Sequence, residues 1–213
     1  MSPLSRGGAT AAAVLATWLV LLPNPGPLRA QEAQHEPAAI AAAYLRYIAE
    51  FTTWPAASFA DADAPLVIAV MGDDASGVAG IMRRAIEGKG LSAQSRRIEL
   101  RQLASPEGGA EAFEQLHAGL REAHLLFLSR SEQAHWSNLR PVVAPLPIVT
   151  VSEIDGFAGA EGMIEFVVDP DEKRVVMHID LDAVRKAGLR LSSRLLGLKQ
   201  GVKIVRSPED LSG

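Results

Sequence analysis

From residue 37 the apolar side chains fall at helical intervals. Ile40, Tyr44, Tyr47, Ile48 and Phe51 occupy i, i+4, i+7, i+8 and i+11, one face of an α-helix. Residues 31–37 are polar and read as loose, and from Pro37, which suits a first helical turn, the pattern turns helical. Pro55 biases Trp54 away from the helical region, which predicts a stop there. Leu66–Met71 is an unbroken apolar run of strand length, closed by Gly72-Asp73-Asp74. Downstream the pattern predicts a helix over 76–86, an alternating strand over 97–100, a helix over 110–120, a buried strand over 125–128, a short helix over 131–139 and a strand over 147–151. Two further strands, 162–168 and 174–180, flank a turn at 169–172 and form a hairpin. Asp180 is placed to cap a helix reaching Ala187, with Gly188 as its left-handed end, and Ser192 starts a last turn or two through Leu198.

Strands that alternate with helices, several of them uniformly apolar, predict a sheet covered on both faces. The fold class is α/β: a single-domain three-layer sandwich over 36–206, with a mixed, mostly parallel sheet, a C-terminal hairpin and helices on both faces. Neither a dividing linker nor an internal repeat is visible.

The start of the chain follows another rule. Arg6 precedes an apolar stretch of 14 residues, Ala9 to Leu22, and the breakers Pro23, Pro25, Gly26 and Pro27 lead to Ala30. The stretch is short for a membrane span of about 20 residues, and the pattern is that of a signal peptide, 1–30, cleaved on export. The whole chain has 21 basic and 25 acidic residues, a net charge of −4; loss of Arg6 and Arg29 leaves 19 − 25 = −6. An acidic chain has no excess to neutralise a phosphate backbone, so nucleic acid is excluded as a partner. The absence of cysteine removes disulfides and thiol chemistry. His35, His117, His124, His135 and His178 form no H-x-x-x-H or H-E-x-x-H spacing, which leaves no metal centre or cofactor to expect, and no G-x-S-x-G elbow occurs.

Three features remain as candidates. Gly72-Asp73-Asp74-Ala75-Ser76-Gly77 lies between strand and helix, where a phosphate loop would sit, yet its two carboxylates repel phosphate and an ordinary turn is the alternative. Gly72, Ser129 and Thr150 are expected near the crevice at the strand C-termini, the usual ligand site of such sheets. In the strand Arg174–Asp180, alternation places Val175, Met177 and Ile179 on one face and Arg174, Val176 and His178 on the other. Arg174 and His178 are about 13 Å apart along the backbone, and long side chains there can converge on a small anionic ligand.

Residues 43–55 (AYLRYIAEFTTWP), 65–72 (PLVIAVMG) and the run from Gly162-Met163-Ile164 through Ile179-Asp180-Leu181-Asp182 to Leu195-Leu196 together resemble the YfiR-like family of periplasmic regulators over about 38–198. Ala123-His124-Leu125 and Thr150-Val151-Ser152 fall in the same order. Two departures stand out: the family's cysteines are missing, and the first glycine of its usual Gly-Gly before the fifth strand is replaced by Glu161. The resemblance implies a non-enzymatic protein whose partner is the periplasmic domain of an inner-membrane signalling protein, a diguanylate cyclase, with restraint of cyclic di-GMP synthesis and biofilm formation. A second copy of the chain is also a candidate partner. Trp54 is read either as a core anchor at the helix end or as an exposed aromatic that contacts the partner. The alternative from a different class is a periplasmic small-molecule receptor that uses the crevice.

Overall fold

The computed structural model describes the backbone of residues 27–105, 109–169, 174–199 and 201–205, and side chains from residue 36 onward. The chain runs α1 (Pro27–Phe51), β1 (Thr52–Thr53), β2 (Leu66–Met71), α2 (Val78–Lys89), β3 (Ser92–Ala93), β4 (Arg96–Leu103), α3 (Ala110–Glu122), β5 (Leu125–Leu128), α4 (Trp136–Val143), β6 (Val149–Ser152), β7 (Ile164–Asp169), β8 (Arg174–Asp180), α5 (Leu181–Lys186), β9 (Arg190–Leu191), α6 (Ser193–Leu196) and β10 (Val202–Val205). Single 3-10 turns at Ala56–Ser58, Arg130–Ala134 and Phe157–Gly159 link some of them.

Eight strands form one sheet in the order β10-β8-β7-β6-β5-β2-β4-β3. Its central five, β4-β2-β5-β6-β7, are parallel. β3 is antiparallel to β4, β8 is antiparallel to β7, and β10 runs parallel to β8. The expected hairpin is present, with Val168 opposite Val175 and Asp169 opposite Arg174. Of its turn, expected at 169–172, Asp169 ends β7 and the rest lies outside the described residues, as does the signal-peptide expectation up to residue 26.

Alternation divides the core into two layers. Leu66, Ile68, Val70, Phe127, Val151, Phe166 and Met177 face α1, α2 and α6. Ala69, Met71, Leu126 and Leu128 face α3 and α4 through Leu116, Leu120, Leu139 and Val143. β2 is buried at every position because helices cover both of its faces. This is the three-layer α/β sandwich expected.

Most bounds shift by one to three residues from the periodicity, and the larger differences have physical reasons. Helix α1 covers Pro27–Phe51, so it includes residues ahead of the expected start, with Pro37 inside it. Gln31, Glu32, Ala33 and Gln34 are strong helix formers, so a polar stretch with no apolar face still winds. The helix expected over 131–139 is a 3-10 turn followed by α4. The two-residue strands and β10 leave too little alternation to detect. One of these small pieces fixes the end of α1. Gln94, at φ 51, donates from Nε2 to the carbonyls of Ala49 and Thr52 at 2.7 and 2.6 Å, which satisfies carbonyls left open by the helix terminus.

Candidate functional site

The five parallel strands, taken in chain order, lie 2-1-3-4-5 across the sheet, so the connections leave β2 in opposite directions to β4 and β5. Ligands of such sheets bind outside the carboxyl ends at that reversal. Here the position is occupied by an open cleft of about 660 Å³ lined by Gly72, Asp73, Gln102, Ser105, Ser131, Glu132 and His135, among others. Gly72 is required there: its φ is 92, and a Cβ would overlap Ser129 Oγ and Ser131 Oγ. The two serines share a hydrogen bond of 2.8 Å, and the amide of Asp73 donates to Ser131 Oγ at 3.1 Å. Glu132 is buried at 2% exposure, accepts from Ser105 Oγ at 2.6 Å and lies 3.1 Å from His135 Nδ1.

The cleft is therefore lined by hydroxyls and carboxylates. Asp74 is already engaged, accepting from the amides of Ala79 and Gly80 at 2.8 and 2.6 Å at the start of α2. The segment 72–77 is thus a strand-to-helix turn stabilised by its own aspartate, as the ordinary alternative held. Glu153, at the neighbouring end of β6, has its pKa raised chiefly by burial, with Asp74 and Asp73 adding to the rise while Ser76 and Arg130 oppose it. Of the residues expected at this crevice, Gly72 lines it, and Ser129, buried at 3% exposure, lies behind it through its bond to Ser131. Thr150 is one turn of the pleat too deep: it is 2% exposed and its Oγ1 accepts from the Met163 amide at 3.0 Å. Ser105, Ser131, Glu132 and His135 were not singled out from the sequence; the signal was Glu132 followed by His135 at helical spacing just past a buried strand.

At the opposite end of the strands Trp54 is 7% exposed and its Nε1 donates to the His124 carbonyl at 3.0 Å. Its ring meets Phe59 and His124 edge-on, at centroid distances of 6.3 and 6.1 Å. His124 stacks on Phe59 at 4.2 Å, and the Arg96 guanidinium lies 3.9 Å over the other side of that ring. His124 Nδ1 accepts from the Val67 amide at 3.2 Å, and its Nε2 lies 2.9 Å from the Ser58 carbonyl. Burial lowers the His124 pKa first of all, with Arg96 and Arg101 adding to the effect and the Ser58 hydrogen bond opposing it. The geometry is that of a core anchor: the Trp54 ring face is covered rather than presented to a partner.

Arg174 and His178 line no common wall here. Arg174 borders a hollow of about 460 Å³ with Ile40, Tyr44, Leu198 and Lys199, and its NH2 lies 3.7 Å from Asp169 Oδ2. Burial raises the Tyr44 pKa and Arg174 counters that rise. His178 is opposite Glu165 on β7 and Lys203 on β10. Its pKa is lowered by burial, with Lys203 adding and Glu165 opposing. Glu165 itself accepts from the amides of Gly156 and Ala158 at 3.0 and 3.3 Å. Among the described residues no group of three or more His, Cys, Asp or Glu is placed to hold a metal ion, and no helix is long and apolar enough to cross a membrane.

The fold is that of a doubly wound α/β protein with a polar crevice outside the carboxyl ends of its strands. The family model DUF4154, described as YfiR/HmsC-like, matches residues 38–199, and the chain belongs to that family. The family is one of periplasmic, non-enzymatic regulators of cyclic di-GMP signalling. No match was found among curated proteins.

Proposed function

We propose that this chain is a periplasmic binding protein that restrains an inner-membrane diguanylate cyclase, or a sensor of similar design, by contact with the sensor's periplasmic region. Restraint lowers cyclic di-GMP and with it biofilm formation. The observation that supports this is the family match, which spans nearly all of the sandwich. In this reading the chain is exported by a cleaved signal peptide, works by binding without turnover, and Trp54 serves the partner indirectly, by holding the loop after α1 against the sheet.

Deletion of the gene tests the proposal. Cyclic di-GMP and surface adhesion rise in the deletion strain and return to the parental level when the full chain is restored, and crosslinking in cells recovers a membrane protein with a cyclase domain. Unchanged cyclic di-GMP, with no membrane protein recovered, overturns it.

The second reading, a small-molecule receptor, is favoured by one feature: the cleft at the reversal point, with its buried Glu132. The two readings are compatible, because a ligand with different affinity for two states shifts partner binding. The anionic ligand proposed for Arg174 and His178 has its own test. Arg174→Ala and His178→Ala each weaken binding of an anion such as phosphate while the melting temperature stays nearly constant; equal binding by parent and variants removes the idea.

A further inference from the structure

A separate hollow of about 90 Å³ lies on the α3/α4 side of the sheet, between α4 and α5, away from the crevice and from Arg174. Its apolar walls include Trp136, Val143 and Met163. Two acids, Glu161 and Asp180, and two bases, Arg140 and Lys186, border the same space. Asp180 is 1% exposed and lies in the interior, its Oδ1 held by the amides of Asp182 and Ala183 at 2.9 Å each. The other three charges are at the rim, where Arg140 NH1 and Glu161 Oε1 pair at 2.7 Å. Thr150 supplies one more buried polar atom: its Oγ1 already accepts from the Met163 amide, and a hydroxyl that accepts still has its proton to donate.

The charge pattern selects a ligand class. A lone carboxylate that satisfies Arg140 and Lys186 faces Asp180 across a small space, and a lone ammonium near Asp180 faces the two bases. A molecule that carries both charges a few ångströms apart meets each with its opposite. The volume corresponds to about three waters at ~30 Å³ each, the bulk of an amino acid of two or three carbons. We propose that this hollow binds a small zwitterion, with an ammonium and a carboxylate on a short carbon frame. The carboxylate lies against Arg140 and Lys186, the ammonium is directed to the Asp180 side, and the carbons lie on Trp136 and Met163.

Glu161 then acts as the gate. Its pair with Arg140 closes the rim and competes with the ligand's carboxylate for the same guanidinium. It does so from a backbone at φ 63, a left-handed conformation that non-glycine residues adopt at a cost. Strain of that kind gathers at ligand clamps.

The test uses three probes of matched size on the purified chain: alanine carries both charges, propionate the carboxylate alone and propylamine the ammonium alone. In amide NMR titrations alanine shifts the signals of Ala144, Met163 and Ala183, and the other two bind about tenfold or more weakly, as loss of one charge-assisted contact requires. Arg140→Gln weakens alanine binding by a similar factor, and Glu161→Gly, which removes the competitor and relaxes the backbone, strengthens it. Absence of alanine-dependent shifts at those amides overturns the proposal. So does equal binding of propionate, or binding that Arg140→Gln leaves unchanged. Cyclic di-GMP levels have no part in this measurement, so its failure does not bear on the regulatory role.

Discussion

Glu161 occupies a position where a side chain costs conformational energy. In the next residue, Gly162, a Cβ would overlap the ring of Phe157, so that glycine answers a packing demand, whereas the position of Glu161 makes a purely backbone demand. Glu161→Gly relieves about 1 kcal/mol of left-handed strain, against an exposed ion pair worth about 0–1 kcal/mol. Urea denaturation should therefore show stability equal to the parent or higher by up to about 1 kcal/mol; a clear loss would mean the Arg140 pair outweighs the backbone. The missing glycine was legible in the sequence, but the reason it matters was not, because φ is not written in a residue type that normally avoids it. His124 was less legible still. Its partners Val67, Ser58 and Trp54 are 57, 66 and 70 residues away, and no local pattern joins them. Burial holds its pKa below the ordinary 6.5, so the unfolded chain binds more protons as acid is added. The contribution of neutral His124 is then complete above pH 6.5 and is lost as pH falls through that value towards the lower folded one. Protonation also places a second proton against the Val67 amide. Melting temperatures measured from pH 8 to pH 5 (a range of about three units around a histidine's ordinary value) should fall at the acid end, and His124→Asn should flatten the decline. His178 titrates in the same sense, so the flattening is partial.

Elements were legible where one signal dominated. β5 and β8 have the bounds that apolar content and alternation imply, since each is framed by polar or capping residues. The cap at Asp180 is as expected, with its side chain accepting from two amides of α5, and Ser192 caps α6 in the same way at 3.2 Å. α1 was legible only from Pro37, where its apolar repeat begins, because the sequence of residues 27–36 is mostly polar or small and offers periodicity little to register. The segment from Gly188 to Leu196 shows how short elements act together. Gly188 turns at φ 73, Leu189 and Leu195 are at 1% and 0% exposure, and β9 pairs with β1 between them. Leu195→Ala should cost about 2–5 kcal/mol by loss of burial and creation of a cavity. The exposed neighbour Arg190→Ala should stay within about 0.5 kcal/mol. Equilibrium unfolding of the two variants side by side checks both values; a cost below about 0.5 kcal/mol for Leu195 would show that this segment is not part of the cooperative core.

On the scale of the molecule, the mixture of parallel and antiparallel strands was legible, but the neighbour order was not, since sequence spacing shows that strands exist and not which edge each one joins. The order matters because it places the crevice at β2 and β5 and leaves β10 at an edge. Contacts outside the sheet order also tie the end of α1 to the segment that follows α5. Thr52 pairs with Leu191, the Ser192 amide donates to the Phe51 carbonyl at 2.8 Å, and the Gly201 carbonyl accepts from the Met177 amide, on the strand next to the sheet edge, at 2.8 Å. The buried face of α1 is completed by Leu189 and Leu195. A chain that ends at residue 187 should therefore lack a cooperative urea transition, and circular dichroism would show this directly. The same closure has a consequence for timing. The buried face of α1 stays without part of its cover until Leu189 and Leu195 have been synthesised, so an element made early in the described chain is among the last to be packed.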